Sequence, residues 1–345
     1  MARPEPSSLE ARLLRAWSRR GPLAWLLLPP AALFRLLVAL RRLLYRRGLL
    51  RSTRLPVPVV VVGNIFVGGT GKTPFTIWLV QALRALGVVP GVVSRGYGSR
   101  HGAATVVDAA AQAAEVGDEP LLIAREGGCP VVVGRDRVAA ARTLLAAFPD
   151  VNLIVADDGL QHYALARDVE IVVCDERANG NGWMLPAGPL REPASRRRDF
   201  TVANLPPGMP DAPAPVSTMR LLSRHAYRLA DRADSVPLTS LAGGGRRIAA
   251  AAGIGNPDRF FAMLRAVGLQ LDSALALPDH YDFARDPFAS VHADLILITE
   301  KDAVKCLQLE SFRNDPRLWV VPVSAQVDSA LAHRIVEKCR GLPTA

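Results

Sequence analysis

Positions 59–62 are four consecutive valines, and a β-branched run with no polar alternation predicts a strand buried on both faces. A Gly-rich loop follows, then apolar residues at helical spacing over 74–86. Residues 88–94, 130–133, 153–156 and 170–174 are further short apolar runs, with helical stretches between several of them. Strands alternating with helices predict an α/β fold with a mostly parallel sheet covered on both faces. Near 205 the texture changes. Pro206, Pro207, Pro210, Pro213 and Pro215 mark a turn-rich boundary, 219–229 suits an extended ribbon, and Gly243 to Gly245 make a second break. Beyond it, 248–252, 294–299 and 319–323 read as strands of a smaller C-terminal α/β domain. The expected division is 1–54 as a basic N-terminal segment, 55–204 as the core, 205–245 as linker or ribbon, and 246–345 as the smaller domain.

The first 54 residues follow a different pattern, in which arginine clusters alternate with apolar runs. Residues 23–34 are apolar throughout but contain Pro29 and Pro30, and Arg35 follows. A membrane-spanning helix needs about 20 apolar residues, and this run stops short. The pattern predicts a helical hairpin, or two amphipathic helices, lying in one leaflet. Trp17, Trp25 and the leucines would sit at the headgroup boundary and the arginines on anionic lipid. A helix packed on its own domain and a single span are the alternatives. A cleaved signal peptide fits poorly, because the apolar run starts late and more arginine follows it.

Charge sharpens this division. The chain has 345 residues and a formal net charge of +10, which suits two domains plus an appendage. Residues 1–54 hold 12 of the 42 basic residues and two of the 32 acidic ones, so the whole excess lies in the leader. That argues against a nucleic-acid binder. Cys129, Cys174, Cys306 and Cys339 have no metal-like spacing and read as thiols of a reducing compartment.

The candidate chemistry begins at 59–74, VVVVGNIFVGGTGKTP. A strand, a Gly-rich loop ending in Gly-Lys-Thr, and a helix are the context of a P-loop. Gly68, Gly69, Thr70, Gly71 and Lys72 would cradle phosphates, and the Thr73 hydroxyl would bind Mg²⁺. The usual spacing would put glycine at 66, where this chain has Phe66. A second apolar run, NLIVADDG at 152–159, ends in Asp157 and Asp158, the expected metal-side carboxylates of an ATP site.

More specific motifs follow in order: VVSRGYG (92–98), VGDEP (116–120), VVVGRDR (131–137), ADDGLQH (156–162), LPAGPLREP (185–193), AGIGNPDRFF (252–261), PDHYDF (278–283) and TEKDAVK (299–305). Together they resemble the tetraacyldisaccharide 4′-kinase family over about residues 10–340. Leu160 stands where that family's DDG motif usually continues with Phe. The resemblance implies ATP-dependent transfer of phosphate to the 4′-hydroxyl of a tetraacyldisaccharide 1-phosphate, giving lipid IVA in lipid A synthesis. It also implies a peripheral enzyme on the cytoplasmic face of the inner membrane, with a two-stranded ribbon joining its domains.

The resemblance makes Asp118 the base, paired with His280. Helix N-capping is the plainer role for Asp118, since Glu119 and Pro120 suit a first turn. The 162 positions between the pair put the site between two domains, in a cleft that closes on substrates. Gln161 and His162 are expected to face the same cleft. Arg95, Glu119 and Arg191 are candidates for substrate or nucleotide contact, with a structural ion pair as the alternative for each arginine. For Lys301 and Asp302, contact with nucleotide and locking of the smaller domain both remain open.

Two other functions share some of these features. A membrane-associated regulatory P-loop NTPase with a protein partner would use the same cradle and anchor but would not need the Asp118–His280 pair. A kinase of a soluble metabolite would not need the leader. No obligate protein partner is evident in the sequence.

Overall fold

The computed structural model describes residues 16–96, 103–108 and 110–341. The first 15 residues of the leader, and Tyr97 and Gly98 of the SRGYG motif, lie outside the described residues.

Among the described residues fifteen strands form two sheets: β1 (Val59–Gly63), β2 (Pro90–Ser94), β3 (Thr105–Val106), β4 (Val131–Val133), β5 (Leu153–Asp157), β6 (Val169–Asp175), β7 (Phe200–Asn204), β8 (Ser217–Leu222), β9 (His225–Arg228), β10 (Asp231–Pro237), β11 (Ile248–Ala252), β12 (Ser273–Ala276), β13 (Leu295–Thr299), β14 (Leu318–Val321) and β15 (Ser324–Val327). The larger sheet has nine strands in the order β15-β8-β7-β6-β1-β5-β2-β4-β3, parallel except at its two edges. The smaller sheet has six, in the order β10-β9-β14-β13-β11-β12. Every residue of β1 is buried, as its valine run requires. Val60 and Val62 face one core cluster with Phe75 and Leu79 of helix Lys72–Ala85, while Val59 and Val61 face the other.

The domain boundaries differ from the sequence expectation. Residues 205–245 do not stand apart as a linker. β8 joins the larger sheet beside β7, whereas β9 and β10 belong to the smaller sheet. The last part of the chain also returns to the larger domain. β15 pairs antiparallel with β8, and helix Ala330–Cys339 sends Leu331 and Ile335 into the first core cluster. The ribbon is therefore made of two distant segments, β8 running into β9 and β14 running into β15. Such pairing leaves no local signature, because Ser324–Val327 is short and only half buried.

In the leader, helices Pro22–Leu26 and Leu28–Arg46 meet at Leu27. Pro29 and Pro30 do not break the second helix but open it, in the first turn, where no backbone N–H is needed for an intrahelical bond. Ala31 is buried, and Phe34 and Val38 pack on the second core cluster. Leu33, Leu36, Leu37, Leu40 and Leu43, toward the other side, are exposed. Among the described residues no helix is long and apolar enough to cross a membrane. Trp17 does not face outward as expected: its indole N–H donates to the Pro186 carbonyl at 2.9 Å. Trp25 is 59 % exposed and meets the edge of Trp183.

Candidate active site

The parallel strands end on one edge, and those ends carry the chemistry: Gly63, Ser94, Asp157, Asp175 and Asn204. Crevices at the carboxyl edge of such sheets are where ligands bind. The Gly-rich loop leaves β1 there. Gly68 and Gly71 have φ of +102° and +89°, which L side chains rarely adopt, so these two glycines allow the turn. Phe66 needs no such freedom. It is buried, bridges to Leu190, and carries the Arg177 guanidinium 4.4 Å from its ring centre. The same Arg177 donates to the Gly69 carbonyl at 2.9 Å and pairs with Asp175. Asn204 donates to the Thr70 carbonyl at 3.0 Å and accepts from Arg259 at 2.8 Å. The loop is thus held in shape by the ends of β6 and β7, both on the same side of β1.

Lys72 opens helix Lys72–Ala85, and its ammonium lies 3.1 Å from Asn64 Oδ1 and 3.3 Å from Asp158. Thr73 follows on the first turn, with its side chain half buried. Asp157 is buried, with its two oxygens accepting from Thr76 at 3.1 Å and Ser94 at 3.3 Å. Burial and the neighbouring Glu119 and Asp158 charges push its carboxyl up to about 6. Asp158 adopts φ +49° and lies 3.6 Å from Arg191. Burial pushes its carboxyl up, but Lys72 and Arg191 outweigh that and hold it below the ordinary value.

Helix Asp118–Gly127 begins at the same edge, and the smaller domain reaches across to it. His280, at φ +59°, puts Nδ1 2.9 Å from the Asp118 carboxylate. Lys305 lies 3.2 Å from the other Asp118 oxygen. Lys301 donates to Glu119 at 3.0 Å and to Asp279 at 3.1 Å, with its ammonium 3.4 Å from His280 Nε2. Burial works against ionisation of Asp118, yet the His280 hydrogen bond and both lysines hold it well below the usual carboxylate range. In return, the Asp118 hydrogen bond raises His280 above its ordinary value. Asp302 is buried and closes the start of helix Glu300–Cys306, accepting from Thr299 at 2.7 Å and from the Gly253 amide at 2.9 Å. Between the domains, a Cβ on Gly255 would lie 2.7 Å from the Gly69 nitrogen.

The remaining candidates divide. Gln161 donates to the buried Glu192 at 3.0 Å, where Tyr163 and Arg196 also bond. His162 stays beside the site, 4.0 Å from Asp136, and burial with the nearby Arg137 pulls it down to about 4. Arg95 is exposed at the end of β2. Asn204, Arg137, Arg177, Arg259 and Lys305 were not among the sequence candidates. Asn204 ends a buried strand, Arg137 closes the GRDR run, Arg259 lies in NPDRFF and Lys305 in TEKDAVK, so strand ends and these motifs carried a signal. Arg177 had none.

A family model described as tetraacyldisaccharide-1-P 4′-kinase matches residues 23–340. The chain belongs to this family. A protein of Janthinobacterium sp. (strain Marseille) named tetraacyldisaccharide 4′-kinase is 60 % identical over 339 residues, 97 % of each chain. One of the same name from Herminiimonas arsenicoxydans is 60 % identical over 348 residues, again 97 % of each. The crystal structure of LpxK from Aquifex aeolicus in complex with ATP aligns with TM-score 0.74 at 27 % identity, covering 92 % of this chain and 99 % of that one. A member of the tetraacyldisaccharide-1-P 4′-kinase family is a phosphotransferase with a hydroxyl acceptor. Nothing in these likenesses supports the regulatory-NTPase alternative.

Proposed function

We propose that the chain uses ATP and Mg²⁺ to phosphorylate the 4′-hydroxyl of tetraacyldisaccharide 1-phosphate, with Asp118 as proton acceptor, at the cytoplasmic face of the inner membrane. The observation that carries the chemistry is the Asp118–His280 contact, made by two domains beside a phosphate cradle.

Lys72 and the amides of Gly69 to Thr73 hold the triphosphate. The hydroxyl and carboxylate oxygens of Thr73, Asp157 and Asp158 are the hard donors that Mg²⁺ takes. Asp158 Oδ1 faces only the Lys72 and Arg191 cations and keeps lone pairs to spare, and the raised Asp157 carboxyl would be relieved by a dication, so these residues fit the ion. Bound there, it would neutralise phosphate charge in the transition state.

The acceptor oxygen attacks the γ-phosphorus, the bond from that phosphorus to the bridging oxygen breaks, and ADP leaves. The hydroxyl proton passes to Asp118. A carboxylate held this low by two lysines and an imidazole is a weak base. It suits a loose transition state, where the hydroxyl proton becomes acidic late, as the new bond forms. His280 keeps the carboxylate turned to the acceptor, and Lys301 occupies the far side of the imidazole. Arg191, already at Asp158, and Arg95 are the cations that meet phosphate or sugar.

The exposed leucines of helix Leu28–Arg46 enter the headgroup boundary, and the leader arginines meet anionic lipid. The test is turnover of ATP with the tetraacyldisaccharide 1-phosphate in detergent. Product phosphorylated at the 4′ position by the wild-type chain supports the reading, and its absence rejects it.

A further inference from the structure

At the far end of the connection that leaves Asp158 there is a cavity of about 360 Å³. It lies between helix Leu28–Arg46, which supplies Arg42, Tyr45 and Arg46, and the segment around Tyr163 and Arg167, with Arg196 and Arg197 closing it. Five arginines line it against one acid, Glu170. Two of the five are already satisfied: Arg167 and Arg196 both pair with Glu170, at 3.1 and 2.6 Å, and Arg196 also pairs with the buried Glu192. Among the described residues Arg42, Arg46 and Arg197 have no acidic partner at ion-pair distance. Three guanidinium groups that line one cavity without an acidic partner repel one another unless an anion joins them, and their planar forks suit phosphate oxygens. The wall is fixed rather than loose. The Tyr45 ring lies 5.6 Å from that of Tyr163, tilted by 40°, and the Tyr163 hydroxyl donates to Glu192 at 2.7 Å.

We propose that this arginine cavity binds the phosphate ester of a lipid headgroup, as a second anchor beside the transfer site. Two of its arginines come from the helix whose leucines are exposed, so an anion entering here is carried by a lipid. Tyr163 stands five positions after Asp158, which limits the distance between their backbones to about 18 Å. That is within reach of a two-sugar headgroup with its acceptor hydroxyl at the cradle. The proposal rests on the membrane-lipid reading above. The phosphate has two sources, the acceptor's own 1-phosphate and the anionic phospholipid of the surrounding bilayer.

The experiment compares the full chain carrying Arg46→Gln with Arg197→Gln against a control of equal charge loss, Arg224→Gln with Arg246→Gln. KM is measured in detergent for acceptor with and without its 1-phosphate. Sedimentation is measured with phosphatidylcholine vesicles with and without phosphatidylglycerol. Each arginine at a phosphate is worth about fivefold in affinity. A roughly 25-fold rise in KM for the phosphorylated acceptor alone, with kcat kept, assigns the cavity to the acceptor. Weakened sedimentation with phosphatidylglycerol vesicles alone, with KM kept, assigns it to bilayer phospholipid. The same KM and sedimentation as the control pair overturn the proposal. If the wild-type chain shows no turnover, the function reading fails by itself. Vesicle sedimentation, with calorimetric titration of the micellar acceptor, then decides on the cavity.

Discussion

His280 Nδ1 lies 2.9 Å from the Asp118 carboxylate although the two residues belong to different domains. The contact makes the alignment of the proposed base depend on a residue carried by the smaller sheet's side of the molecule. Asp118→Ala is expected to lower kcat by about 10²-fold or more while leaving the affinity for ATP near wild type. Steady-state kinetics with both substrates varied measures this, and unchanged kcat removes Asp118 from the mechanism.

The same contact has a pH signature. The Asp118 hydrogen bond raises His280 in the folded protein. Its stabilising effect is therefore fully present below the ordinary histidine pKa and is lost as pH rises through the raised value. For Asp118, whose value is depressed, the contribution is present above the ordinary carboxylate pKa and disappears only in acid below it. NMR titration of the His280 ring should give a midpoint above the ordinary histidine value. Asp118→Asn should bring that midpoint down, and a midpoint indifferent to the substitution would mean that the pairing does not persist in solution.

Much of the large sheet was legible because its central strands are continuous apolar runs with no competing pattern, as at Val59 to Val62. The glycines and Lys72 were legible because phosphate binding imposes a local spacing. Sheet membership was not legible where strands pair over long separations. β15 reads no differently from a loop, yet it closes the edge of the large sheet about 100 residues after β8. Asp118 and His280 were named through motif resemblance, and their proximity needed the fold. Gln161 shows the limit of reading along the chain. It stands three positions after Asp158, and its bond to the buried Glu192, 31 positions further on, is visible only in the fold.

Gly255 backs directly on Gly69 of the cradle, and a methyl group there would sit 2.7 Å from the Gly69 nitrogen. Backbone cannot yield as a flexible side chain can, so Gly255→Ala must part the domains or distort the loop. The expected result is weaker ATP binding and lower kcat with little loss of thermal stability, because the contact joins domains rather than filling a core. Calorimetric titration of ATP and a thermal melt of the same preparation check this. Wild-type ATP affinity would mean that the domains stand further apart in solution.

Asp157 offers a test of the proposed metal role. Burial and two nearby acids push its carboxyl up to about 6, so its charge is lost as pH falls through that region. ATP binding in the presence of Mg²⁺ should weaken on going from pH 7 to 5, about tenfold per unit below the midpoint. Mg²⁺ binding shifts that midpoint downward, since the cation favours the ionised form. Asp157→Asn should flatten the profile while keeping the fold, as the amide still accepts from Thr76 and can donate to the Ser94 oxygen. A steep profile that survives the substitution would assign the titration to another group.

The leucines of helix Leu28–Arg46 separate anchoring from nucleotide binding. Leu33, Leu36, Leu37 and Leu40 are each 48–63 % exposed, whereas Phe34 and Val38 pack on the core. Replacing Leu33, Leu36 and Leu40 by Gln changes the outer face and leaves the packed one intact. Each leucine entering the headgroup boundary is worth about 1.5–3 kcal/mol at full burial, and less at the partial depth of an interfacial helix. Three together should reduce sedimentation with anionic vesicles by at least 100-fold in affinity. ATP affinity should stay at the wild-type value, because the cradle lies on the larger sheet and is held by Asn204 and Arg177, not by the leader. Undiminished vesicle binding in this variant would leave the arginines as the whole anchor and the leucine row without a part in it.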